Sequence, residues 1–162
     1  MAYSKASVEM VEAVADQVKK NHQHLDGFKI AVLRRDVAAR RGGKVILATA
    51  SRPSKKLAPL LDEEYSFVIT IASDEWEMID EKQRDALIDH ELCHCRKDDK
   101  GKPKLVSHDI EEFACIIRRH GMWQKTDLEE LVVEALLFRQ GVTVEAPDPK
   151  KPKAKSGEEK AS

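Results

Sequence analysis

The chain lacks any run of about 18 apolar residues, the length a helix needs to cross a bilayer, so no segment reads as membrane-spanning. It also lacks an excess of charge of either sign. Its 28 Lys and Arg stand against 29 Asp and Glu, a formal net charge of -1. That balance argues against a dedicated nucleic-acid binder and leaves only local basic patches for such a role. Cysteine is scarce: there are three, an odd number, and Cys93 and Cys95 lie too close along one segment to bridge each other easily. The first residues, Met1 to Lys5, lead into a charged amphipathic stretch instead of an apolar signal core. The expected compartment is therefore a reducing cytoplasm.

What is present suits one compact domain, expected over residues 1–145, since 41% of the 162 residues are hydrophobic. Val8, Val11, Val14, Ala15 and Val18 recur at helical spacing, with Ser4 or Ser7 as the cap and an end near Asn21. Phe28–Leu33, Val45–Ala50 and Phe67–Ile71 read as three strands. A basic connection holding Arg34, Arg35, Arg40 and Arg41 joins the first two. Asp80 and Gln83 have capping-box spacing and open a helix expected to reach about Arg96, where Gly101 and Pro103 follow as breakers. Two further helices are expected, from Asp109 to His120 and from Thr126 to Gly141. Residues 146–162 are mostly Pro, Lys, Glu and Ser without apolar periodicity, and read as a disordered tail.

The chemistry concentrates on the helix that Asp80 opens. His90 and His94 are four apart on a helix, so their rings project from one face and reach a single Zn²⁺ at about 2.0–2.1 Å each. In the pattern His-Glu-x-x-His, Glu91 is the general base that takes a proton from the water on the metal. Ile88, Leu92 and Cys95 give the opposite face an apolar character, so the helix and its histidines are expected to be buried. A third ligand must come from downstream. Lys97 and Lys100 stand where a metzincin needs Gly and His, which excludes that class. His108 would complete a His₃ set; Glu111 or Glu112 would give His₂Glu instead, the loser orienting a ligating ring.

The run from Asp89 to Cys95, followed by His108 to Phe113, resembles the phage metallopeptidase family, as do Ile30–Leu33 and Phe67–Ala72. More distantly it is similar to SprT-like zinc proteases, although those usually have Gly where this chain has Asp109. The resemblance spans about residues 8–140 and implies an α+β, minimal zincin-like domain. A small, mainly antiparallel three-stranded sheet would pack on the active-site helix, with helices N- and C-terminal to it and an edge strand for an extended substrate. One zinc per chain, a phage or prophage origin and a bacterial host cytoplasm are implied with it.

Two function classes compete. The first is a zinc-dependent endopeptidase acting on a protein or peptide, with the strand Phe67–Ala72 offering its edge by β-augmentation. The second is a zinc-containing binding module that engages a host protein or nucleic acid without catalysis, and the intact Glu91 favours the enzyme. A weak nucleic-acid contact through Arg34, Arg35, Arg40 and Arg41 is weighed against a solvated hairpin loop. Cys93 and Cys95 point roughly 200° apart on a helix and read as core, as does Cys115. His22 and His24 read as carbonyl caps or solvent-facing side chains, with a metal role as the alternative weighed, and Trp76 as core. Deleting residues 147–162, which offer no apolar face, should leave zinc content and melting temperature unchanged. A large fall in melting temperature would show that they dock on the domain.

Overall fold

A computed structural model describes residues 2–108, 113–120, 137 and 141. The chain divides into two units, residues 1–109 and 110–162. In the first, the order is β1 (Tyr3–Lys5), α1 (Val8–Asn21), β2 (Ile30–Arg35), β3 (Ala39–Arg41), β4 (Lys44–Ile46) and β5 (Ala48–Ser51). Then follow β6 (Phe67–Ala72), α2 (Ser73–Met78), α3 (Glu81–Cys93), β7 (Cys95–Lys97) and β8 (Pro103–Leu105). The second unit contains α4 (Ala114–His120), which falls within the helix expected from Asp109. Glu111, Glu112, the tail, and all but single residues of the helix expected from Thr126 lie outside the described residues.

The described residues are thus mixed α+β, with one main sheet and two small hairpins among them. The main sheet runs β1-β2-β6-β5, parallel between β2 and β6 and antiparallel at its other two pairings. Four strands stand where three were expected, because Tyr3–Lys5 pairs with Leu33–Arg35 ahead of the first helix. The second expected strand is divided: Lys44–Ile46 folds back on Ala39–Arg41, and Ala48–Ser51 joins the main sheet. Gly42 and Gly43 make the fold-back with φ of +56° and +78°, the two positive values that a two-residue hairpin turn demands.

All six residues of β6 are buried because both faces of the sheet are covered. Phe67, Ile69 and Ile71 pack with Met10 and Val14 of α1, Trp76 of α2, and Ile88 and Leu92 of α3. Val68 meets Ala31, Leu33 and Leu57 on the other face, with Leu60, Leu61 and Tyr65 against them. Central placement also removes β6 from substrate pairing: β2 and β5 take both of its edges, and β5 is the outer strand on that side. In α1, Ser7 caps the start by accepting from the Met10 N–H, but the inward face is Met10, Val14 and Gln17. Val8 and Val11 face solvent.

The capping box forms as the sequence indicates: the Gln83 N–H donates to Asp80 at 2.8 Å and the Asp80 N–H to Gln83 at 3.0 Å. Yet α3 stops at Cys93, three residues short of expectation. Cys95–Lys97 pair with Pro103–Leu105, so strand pairing satisfies the backbone there instead of a further helical turn. Asp98 organises the hairpin end, its carboxylate accepting from the N–H groups of Lys100 at 2.9 Å and Lys102 at 2.7 Å. Asp98→Ala should lower stability by about 1 kcal/mol, the usual net worth of such bonds, as read from the urea midpoint. No change in midpoint would show that Gly101 makes the turn unaided.

Candidate metal centre

The β7–β8 hairpin brings the third histidine back to the helix. His94 caps the C-terminus of α3, and its carbonyl accepts from the Val106 N–H at 2.9 Å. Its ring returns the contact, because Nδ1 lies 2.7 Å from the Val106 carbonyl. A carbonyl only accepts, so the His94 proton sits on Nδ1 and Nε2 keeps its lone pair for a metal. Two residues further on, the His108 ring comes within 4.6 Å of His94 and 4.9 Å of His90, centroid to centroid.

Donor atoms of His90, His94 and His108 all lie within 4.8 Å of one another. The Nε2 atoms of His90 and His108 are 3.0 Å apart. Two lone pairs hold that separation only with a proton or a cation between them. Nitrogen ligands of a tetrahedral zinc stand about 3.3 Å apart, so small ring movements make the set fit. Three imidazoles without a thiolate leave a fourth position for water or substrate, as in catalytic zinc sites. His90 and His108 are exposed and His94 half-buried, contrary to the expectation of a helix buried nearly all round. Ile88 and Leu92 bury one face of α3, and the imidazoles stand on a face that solvent reaches.

Glu91 is buried, at 6% exposure. Burial pushes its carboxyl above the ordinary carboxylate range, while the imidazoles at 90 and 94 and the Ala50 backbone N–H draw it partly back. Neither the Ala50 N–H nor the Val106 carbonyl was readable from side-chain pattern, since both act through the backbone. Glu111 and Glu112, the alternatives to His108, lie outside the described residues.

The basic cluster divides. Arg35 is buried and donates to the Ile46 carbonyl at 2.8 Å, so it serves the fold and is withdrawn from any nucleic-acid surface. Arg34 donates to the Ser4 hydroxyl at 2.8 Å, and Arg40 and Arg41 stand exposed on the β3–β4 hairpin. Cys95 is core as expected, its thiol pushed up to about 12 by burial, whereas Cys93 and Cys115 are exposed. Cys93 is the last residue of α3 and exposed there, so spacing alone misplaced it. His24 caps the Cys95 carbonyl at 3.2 Å, but His22 is buried against Asp89. His108→Ala should cut zinc affinity by well over 100-fold, beyond the 10–100-fold that losing a supporting contact brings. Competition with a chelator measures it, and a smaller loss would remove His108 from the ligand set.

Among the described residues no helix is long and apolar enough to cross a membrane. No curated protein and no solved structure matches the chain. Residues 1–135 match the model of a family described as "Putative phage metallopeptidase". A family of that description implies a metal and a hydrolase, in keeping with the cluster of His90, His94 and His108. The chain belongs to the phage metallopeptidase family.

Proposed function

We propose that the chain is a zinc-dependent endopeptidase of phage or prophage origin, with His90, His94 and His108 as zinc ligands and Glu91 as general base. The observation behind this reading is the buried carboxylate of Glu91 within electrostatic reach of a three-histidine cluster. A structural zinc has no use for it. Burying a carboxylate against a net desolvation penalty opposes folding, so its presence favours catalysis over the binding-module alternative.

Bound zinc supplies a Lewis acid that polarises the scissile carbonyl and acidifies a water. Glu91 accepts the proton of the attacking water and delivers it to the departing amine nitrogen. Its raised proton affinity suits both halves of that transfer. His94, locked by Val106, keeps its ring orientation throughout. An extended peptide pairs with the outer edge of β5 (Ala48–Ser51), which packs beside α3.

Glu91→Gln preserves side-chain size but cannot take a proton. Zinc content should stay near the parent's while cleavage of an unfolded-protein panel, assayed with and without DNA, falls about 10²–10⁴-fold. An unchanged rate would remove Glu91 as the base. In the zinc-free protein the same substitution should stabilise at neutral pH. The folded pKa of Glu91 lies above its unfolded value, so its favourable contribution is complete below the unfolded pKa and disappears as pH rises through the folded one. The advantage of the Gln variant should therefore shrink towards acid pH, as read from paired thermal melts.

A further inference from the structure

The row of α3 next to His90 and His94 holds a second set of donors. Asp89 and Cys93 are also four apart, rotated by about 100° from the histidine pair, so they project together from a neighbouring face. Facing them is His22, the C-cap of α1, whose Nε2 lies 2.6 Å from an Asp89 carboxylate oxygen. Donor atoms of His22, Asp89 and Cys93 all fall within 4.8 Å of one another. His22 is 3% exposed, so its ring is held almost out of reach of solvent at this cluster. Packing alone gives a weak account of an imidazole held in the interior beside a carboxylate and a thiol.

We propose that His22, Asp89 and Cys93 form a second zinc site, distinct from the three-histidine cluster. The donors decide the ion: one thiolate, one imidazole and one carboxylate suit Zn²⁺ and are a poor set for Ca²⁺ or Mg²⁺. Cys93 binds as the thiolate, its proton passing to solvent, and the exposed side of the site leaves the fourth position to water. The ion takes the place of the hydrogen between His22 and Asp89, which must then open to about 3.3 Å. Asp89 has room for this movement, its side chain being 43% exposed against 4% for His22. The result ties the end of α1 to α3, the helix that also presents His90, His94 and Glu91. None of this depends on the catalytic reading.

Cobalt substitution tests it, because a thiolate ligand adds a near-ultraviolet charge-transfer band that a three-histidine site lacks. The full-length metal-free protein, titrated with Co²⁺, should take up two ions per chain and develop that band. Cys93→Ser, a change at an exposed position, should bind one ion and lose the band; His22→Ala should weaken the banded site at least tenfold. His90→Ala should lose the other ion and keep the band. A titration without a thiolate band, or a band that persists in Cys93→Ser, overturns the proposal. A single ion whose band disappears in Cys93→Ser and ignores His90→Ala supports this site and overturns the three-histidine one instead.

Discussion

His94 and Val106 hold each other twice, backbone to backbone and ring to carbonyl, and the candidate metal centre depends on that clamp. The backbone contact ends the helix and closes the hairpin behind it. The ring contact fixes the tautomer and aims Nε2 outward. Without the first, His108 has no reason to approach α3; without the second, His94 is free to turn its protonated nitrogen towards a cation. One residue thus acts as helix cap, hairpin anchor and member of the imidazole cluster.

The same helix is used on every side. Ile88 and Leu92 enter the core, Glu91 is buried with the Ala50 N–H near its carboxylate, His90 and His94 face solvent, and Asp89 meets the end of α1. Such a helix has little amphipathic contrast, and its position is secured by its neighbours more than by one apolar stripe. Arg84 illustrates this. It donates to the Trp76 carbonyl, packs over the Trp76 ring and bonds Glu9, connecting α2, α3 and α1 through a single side chain.

Local chemistry was the legible part of the sequence. Asp80 and Gln83 announced the start of α3, β-branched residues announced β6, and four-residue spacing put His90 and His94 on one face. What escaped were pairings between distant backbones. Nothing in Tyr3–Lys5 says that it joins β2, and Cys95–Lys97 looks helical until Pro103–Leu105 is set beside it. The edge strand was misread for the same reason. A run as apolar as Phe67–Ala72 belongs in the middle of a sheet covered on both faces, while the short, small-residue Ala48–Ser51 survives at the border. Asp89 and Cys93 stand four apart on α3, but His22 is 67 positions from Asp89 and only the fold introduces it.

The parallel pairing of β2 with β6 has a bearing on the order in which the molecule comes together. Ile30 and Phe67 are 37 positions apart, whereas the His94–Val106 clamp spans 12. Loop-closure entropy favours the shorter circuit by about 1 kcal/mol. The imidazole cluster is thus wired through short-range contacts, and the sheet that buries Glu91 through long-range ones. In a chain still being assembled, the imidazole cluster closes at lower entropic cost than the wall that later shelters Glu91.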